Sequence, residues 1–286
     1  MGVPNSTIRL RPTLVGVKQG FVHTRSTAMR MLNLRVRYFQ DSTPPDVPCR
    51  EENFVRRELL FPLPVEQTAL LLIDLWNVHH IQSWMERAEA MTRDVIVPLI
   101  DKARAAGVTI VHAPSPQIAI KHGVAAEAPP PAPEPTWPPA EFRARRGPYG
   151  LFRGPREQPP GIEMYWKDLD GRLDISPRVA IHDTDLLVAT GQQLHALCEE
   201  RRILHLLVAG FATNWCILGR DYGVRAMRSR GYNVILLRDA TEGVEFPDTL
   251  DQRWATELAL REVEQVWGFS ASTQDFYAAC DALPER

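Results

Sequence analysis

The pattern of apolar and polar positions changes at residue 68. From there on, short continuous apolar runs such as "ALLLID", "VTIVHA" and "ILHLLVAG" are separated by longer amphipathic stretches. Continuous apolar runs of this length are typical of strands covered on both faces, and the longer stretches are typical of helices. The first of these stretches spans about 81–106 and ends at Gly107, a glycine stop. The alternation predicts an α/β fold with a doubly wound, mainly parallel sheet and helices on both faces.

Two segments depart from this pattern. Residues 1–64 contain two extended-looking runs, "LNLRVRYFQ" and "NFVRRELLFPL", which predict a β-hairpin added to a main domain over 65–286. Residues 114–177 include "APPPAPEPTWPPAEF", and proline at this density opposes helices and inner strands. The same segment is rich in aromatic residues, which is unusual for a solvated linker. We therefore expect an ordered lid inserted over the rim of the sheet, with a disordered surface excursion as the alternative.

Composition excludes several classes of function. The 286 residues are 44% hydrophobic and 24% charged with a net charge of −2, which favours neither nucleic acid nor an anionic membrane surface as a partner. The sequence has no apolar stretch long enough to span a bilayer. Its four cysteines are scattered without a CxxC pair, which opposes a zinc site or disulfide framework and fits the reducing cytoplasm.

Candidate chemistry lies where predicted strands end. In such sheets the ligand lies beyond the carboxyl ends of the strands, where Asp74, His112 and Cys216 are expected. A cysteine near a helix N-terminus lies close to backbone N–H groups that favour the thiolate and can hold an oxyanion. Alone, Cys216 is better explained as an inert core thiol, and Asp74 as a helix cap. Together on one rim, they are a plausible nucleophile and base.

Two motifs carry a family resemblance. "ALLLIDLWN" and "HLLVAGFATNWCILGRDYGVRAMRSRGYNVILLRDAT" resemble the first strand and the nucleophile segment of the isochorismatase-like cysteine hydrolases, which include nicotinamidases and N-carbamoylsarcosine amidases. The resemblance covers about 69–268, with a poor match over 114–177. It implies that Cys216 is a nucleophile toward an amide-like carbon and that Asp74 is the general base. It also implies a cis peptide between Phe211 and Ala212, and an oxyanion hole made by the N–H groups of Ala212 and Cys216.

The remaining pocket residues are predicted from their positions. Residues next to the candidate base or nucleophile, or at a strand end, should line the substrate pocket: Trp76, Asn77, His112, Thr213 and Trp215. Simple packing is the alternative for the first two, and a core histidine is the alternative for the third. His79 and His80 are interpreted as a helix face or pocket lining. The Asp-x-His metal group of the resembling nicotinamidases is replaced by "HAPSPQ", so neither a metal nor a cofactor is expected.

One position departs from the family pattern. The family has a catalytic lysine just after the strand that here reads "DLLVATGQQL", where this chain has Ala189. Lys121, past the second strand, and Lys167, in the predicted lid, could replace it. Lys167 is preferred because its aromatic neighbours would desolvate it. A solvated surface lysine is the alternative for both.

These observations predict a cysteine-dependent hydrolase that cleaves a small amide or carbamoyl C–N bond through a thioester. The resemblance also implies a homo-oligomer, either a dimer or a tetramer. The short loop before "GQQLHAL" and the aromatic lid oppose nicotinamide as the substrate. One alternative is a non-catalytic binding or assembly module, favoured by the missing lysine and opposed by the intact "GFATNWC". The other is a vinyl-ether hydrolase of the isochorismatase type, which needs no nucleophilic cysteine.

Overall fold

One mixed sheet organises the part of the chain that the computed structural model describes, residues 29–125, 136–143, 148, 169 and 171–284. Its strands are β1 (Met31–Gln40), β2 (Val55–Pro64), β3 (Thr68–Ile73), β4 (Thr109–Ala113), β5 (Leu186–Leu187), β6 (His205–Phe211), β7 (Asn233–Glu242) and β8 (Phe269–Ala271). Their order across the sheet is β2-β1-β8-β7-β6-β3-β4-β5. Strands β3 to β8 pair in parallel, as predicted.

Helices cover both faces of the sheet. They are α1 (Gln82–Met91), α2 (Val97–Ala106), α3 (Pro116–Lys121), α4 (Ala140–Arg143), α5 (Gly191–Arg201), α6 (Val224–Ser229), α7 (Trp254–Glu262) and α8 (Thr273–Asp281). A π-helical turn over Thr92–Ile96 joins α1 to α2, and the combined helix ends at Gly107 with a φ of 85°. Alternate residues of β3 enter two cores: Leu70 and Leu72 pack under α1, α2 and α8, whereas Leu71 packs under α5, α6 and α7. This is the predicted doubly wound α/β arrangement.

The N-terminal hairpin extends one edge of the sheet. Strand β1 pairs antiparallel with β2 along its length and meets β8 at Arg37 and Ser270. The carboxylate of Glu264 is fully buried and accepts from Arg37 at 2.5 Å, while Arg56 lies 3.2 Å from its other oxygen. Because a buried carboxylate is costly without partners, these contacts hold the hairpin to the main domain.

The predicted lid is described only in part. Its first residues form α3, a short stretch forms α4, and residues 171–177 return to the sheet, where Ile175 bridges to Trp76. Residues 126–135, 144–147, 149–168 and 170, which include Lys167, lie outside the described residues, so the predicted lid stays a prediction. None of the helices in the described part of the chain is long and apolar enough to cross a membrane.

Candidate active site

Asp74 lies at the centre of the rim, directly after β3. Its φ of 47° is in the left-handed region, which aspartate tolerates better than most residues. The residue is 1% exposed. Its Oδ1 accepts hydrogen bonds from Trp76 Nε1 at 3.2 Å and from Ser115 Oγ at 3.1 Å, and its Oδ2 accepts from Arg220 Nε at 2.9 Å. The carboxylate is therefore held at both oxygens.

Cys216 lies beside this carboxylate. It belongs to a π-helical turn, Thr213–Ile217, that begins just after β6. Its thiol lies close enough to the Asp74 carboxylate and to the backbone of Ala212 for both to influence its pKa. The peptide bond between Phe211 and Ala212 is cis. The structure thus brings together Asp74, Ala212 and Cys216, which the sequence had placed on one rim.

The protonation of Asp74 and Cys216 depends on their burial and on Arg220. Burial, together with the charge of Asp74, raises the pKa of Cys216 to about 12, although Arg220 opposes the rise. Burial also raises the pKa of Asp74, and again Arg220 opposes it. Desolvation and a neighbouring carboxylate thus outweigh the backbone N–H groups that favour the thiolate. At neutral pH Cys216 is therefore a thiol.

Arg220 is a site residue that sequence reasoning missed. Its Nη2 lies 2.8 Å from Asp74 Oδ2 and donates to Ser115 Oγ at 2.7 Å. Its backbone N–H donates to the Cys216 carbonyl at 3.0 Å, so cation and nucleophile lie one turn apart. The signal was present in the sequence, since residues at i and i+4 of a helix share a face. Ser115 was also missed. Its hydroxyl bridges the two residues, because it accepts from Arg220 and donates to Asp74.

Of the two lysines considered from the sequence, Lys121 lies in the described residues and is held elsewhere. Lys121 Nζ donates to the Leu173 carbonyl at 2.8 Å, which fixes it to the segment returning from the insertion. Lys121 is therefore not the cation of Asp74, and Lys167 lies outside the described residues. At the family's lysine position, Ala189 is buried and its N–H donates to Gln193 Oε1 at 2.7 Å.

An aromatic stack extends from Asp74 toward a cavity. Trp76 stacks on His79 with ring centroids 5.4 Å apart, and His79 stacks on His80 at 4.3 Å. Burial and the charge of His80 lower the pKa of His79 to about 3, so His79 is neutral at neutral pH. A cavity of about 540 Å³ adjoins the stack, and its lining includes His79, His80 and Met85. The stack supplies a flat wall of the kind that small-molecule pockets use.

Asn77 fixes the return segment. Its Nδ2 donates to the Arg172 carbonyl at 2.9 Å, and its Oδ1 accepts from the Asp174 N–H at 2.8 Å. The backbone N–H of Asn77 donates to the Asp174 carbonyl at 3.0 Å. Asn77 lines the cavity, and its amide holds 172–174 against the rim.

Three further pocket predictions have different outcomes. His112 Nε2 lies 3.0 Å from Asp185 Oδ2 in a buried cluster, so the core alternative is the correct one. Thr213 is buried, and its hydroxyl is 2.8 Å from that of Thr241, which makes it a core residue too. Trp215 is 44% exposed, next to the nucleophile. Strand-end position alone does not show which side of the sheet a residue faces.

Comparison with known proteins gave a family and a fold. A family model described as the isochorismatase domain matches residues 68–265. The chain is similar to a cysteine hydrolase from Pseudomonas syringae pv. phaseolicola 1448A, with a TM-score of 0.51 and 17% identity over 78% of this chain and 96% of that chain. It is also similar to an isochorismatase family protein from Burkholderia thailandensis, with a TM-score of 0.46 and 19% identity over 76% and 97%. The first likeness shows the fold alone. Comparison with curated proteins found no match.

Proposed function

The chain belongs to the isochorismatase family, and from that premise we propose that it is a cysteine-dependent hydrolase of a small amide or carbamoyl C–N bond. The observation that carries the proposal is the placement of the Cys216 thiol beside the buried carboxylate of Asp74, directly after the cis peptide at Ala212. A thiol beside a base can pass its proton to that base as it attacks a carbonyl carbon, without first becoming a free thiolate.

The reaction proceeds in two halves. As Cys216 Sγ bonds to the substrate carbon, Asp74 takes the thiol proton, and the N–H groups of Ala212 and Cys216 stabilise the oxyanion. The C–N bond then breaks, and Asp74 gives the proton to the leaving amine, which leaves a thioester on Cys216. In the second half, Asp74 takes a proton from the attacking water and returns it to the sulfur as the C–S bond breaks. The sum is amide plus water giving acid plus amine.

Acyl-enzyme trapping tests this proposal. The protein is mixed with 4-nitrophenyl acetate, an activated acyl donor, and the site of acetylation is located by mass spectrometry. We expect acetylation of Cys216, and a rate reduced about 10²-fold or more in Asp74→Asn because the base is lost. Cys198→Ala, which removes a buried thiol in α5, is the matched control and should react like the wild type.

The same experiment separates the alternatives. A protein that is never acetylated at Cys216 contradicts the proposal and favours the non-catalytic module. A vinyl-ether hydrolase would keep its turnover in Cys216→Ala, whereas the proposed mechanism requires that variant to be inactive on amides. The contact between Arg220 and Asp74 favours an enzyme over a non-catalytic module, because a cation lies beside Asp74 although the family's lysine is missing.

The proposal includes the setting of the enzyme. All four cysteines are free, and Cys49 is exposed, which favours a reducing compartment such as the cytoplasm. We expect a homo-oligomer acting on a small molecule, since the cavity lined by His79 and His80 has the volume of a small-ligand site.

A further inference from the structure

We propose that Arg220 is the positioning residue that keeps Asp74 ionised, as a permanent charge in place of the missing lysine. This inference rests on the proposed function, because it concerns the base of that reaction. It adds Arg220 to the site, explains how the loop at Ala189 packs there, and predicts how the acetylation of Cys216 depends on pH.

The contacts of Arg220 define the orientation of the carboxylate. Nε and Nη2 both reach Asp74 Oδ2, at 2.9 and 2.8 Å. Nη2 also donates to Ser115 Oγ at 2.7 Å, and that hydroxyl donates to Asp74 Oδ1 at 3.1 Å. Arginine and serine thus close a ring around the carboxylate that fixes its plane. A lysine has one nitrogen at the end of a flexible chain and cannot reproduce this arrangement of donors.

The backbone explains how Arg220 reaches this place. The helical segment that starts at Thr213 is interrupted before α6 begins at Val224. The interruption depends on Gly223, where a Cβ atom would lie 2.7 Å from the Ile217 carbonyl oxygen and 3.0 Å from that of Arg220. A longer side chain there would push the turn apart.

The short loop after β5 packs directly against this interruption. The Gly191 N–H donates to Asp221 Oδ2 at 2.7 Å, and a Cβ on Gly191 would lie 2.0 Å from the Asp221 carbonyl oxygen. A side chain at residue 191 would therefore not fit against Asp221. The loop that carries Ala189 and the turn that carries Arg220 pack directly against each other.

The surroundings of Asp74 make a permanent cation necessary. In the described residues, the titratable and charged groups that face its carboxylate are Cys216, Arg220 and Tyr222. The thiol and the phenol are neutral at neutral pH, since burial raises the pKa of each. The guanidinium is the cation that offsets burial of the carboxylate, and it does not deprotonate in proteins. A carboxyl left without it would take up a proton and could no longer accept the one from Cys216.

Infrared titration combined with acetylation kinetics tests the inference. Protonated and ionised carboxyl groups absorb at different frequencies, and a band that disappears in Asp74→Asn belongs to Asp74. We expect Asp74 to be ionised at neutral pH in the wild type and protonated in Arg220→Gln. Acetylation of Cys216 should fall about 10²-fold in Arg220→Gln at neutral pH and recover as the pH is raised. Added guanidinium should restore Arg220→Ala more than added methylammonium.

Arg225→Gln is the matched control, since it removes an arginine of the following helix, paired with Glu262, and should change neither measurement. The proposal is overturned if Arg220→Gln leaves the ionisation of Asp74 and the pH profile of acetylation unchanged. The wild type alone also tests it: a protonated Asp74 at neutral pH contradicts the proposal whether or not any variant folds. If Cys216 is never acetylated, the proposed function fails, and the infrared titration still decides the role of Arg220.

Discussion

At the residue scale, the site depends on a close approach of two strands. Gly210, in β6, has a φ of 118°, and a Cβ atom there would lie 2.0 Å from the carbonyl oxygen of Ile73. Ile73 immediately precedes Asp74, so this contact sets the distance between the strand that leads to Asp74 and the strand that leads to Cys216.

Replacing this glycine should be costly. Gly210→Ala is expected to lower the free energy of unfolding by about 3 kcal/mol or more, since it adds both a clash with backbone and a strained φ. Gly219→Ala is the control, because a Cβ at Gly219 meets open space. Urea unfolding measures the free energy of unfolding of both variants. Equal values for the two variants would contradict the close approach of Gly210 to Ile73.

A second residue-scale prediction concerns the thiol. Because the charge of Asp74 contributes to the raised pKa of Cys216, Asp74→Asn should lower that pKa and increase the thiolate fraction. Iodoacetamide alkylation of Cys216 at mildly alkaline pH should therefore become faster in Asp74→Asn, while acetylation by the ester becomes slower. Alkylation of exposed Cys49 provides the internal reference. Rates that move in the same direction would show that Asp74 acts on access to the sulfur and not on its proton.

At the element scale, a buried cluster joins α2 to the edge of the parallel sheet. Asp185 Oδ2 lies 2.5 Å from Arg104 Nη2 and 3.0 Å from His112 Nε2. Burial raises the pKa of Asp185, but hydrogen bonds from Arg104 and His112 outweigh that effect and lower the pKa to about 2. Burial lowers the pKa of His112, so the imidazole contributes to the cluster as a neutral partner.

The cluster should make the free energy of unfolding depend on pH in the acidic range. A carboxylate with a lowered pKa stabilises the fold above its unfolded pKa of about 4, and this contribution is lost as the pH falls toward about 2. Asp185→Asn should therefore cost roughly 2 kcal/mol at neutral pH, with the difference shrinking in acid. Thermal unfolding across pH measures it, with exposed Asp183→Asn as the control. A difference that does not change with pH would assign the effect to packing.

How far the sequence predicts these elements depends on what each one requires. Strands β3 and β6 were predicted because every residue in them is buried, which leaves a continuous apolar run. Periodicity predicts one helix from about residue 215 to 230, yet the segment breaks before Val224. The break is accompanied by close backbone approaches at Gly223 and at Gly191, and periodicity does not report such contacts. Arg220 was missed although its spacing from Cys216 places both residues on one helix face.

At the scale of the whole molecule, large apolar side chains remain exposed beside the site. Trp254 and Leu258, one turn apart on α7, are 42% and 60% exposed, and Trp215 is 44% exposed. Helix α7 packs against the turn that carries Cys216. Exposed apolar residues of this size, grouped on one element, are typical of surfaces that bind another protein.

The proposed homo-oligomer gives this surface a test. Sedimentation velocity should show a dimer or tetramer, and Leu258→Asp should shift it toward the monomer, since a charge is costly at the centre of an apolar interface. Glu257→Gln, at the neighbouring position of α7, is the control. A wild type that sediments as a monomer at every concentration would contradict the prediction.

The spacing of Cys216 and Arg220 also bears on how such enzymes can be found. When nucleophile and cation come from separate strand ends, a change at either position suggests that activity has been lost. Here both are encoded within five consecutive residues, as Cys-x-x-x-Arg after Gly-Phe-Ala-Thr. A genome survey that discards chains lacking the lysine would discard this one as well. A survey that accepts either the lysine or the arginine would keep this chain, and the proposed role of Arg220 could then be tested in all the chains that carry the arginine.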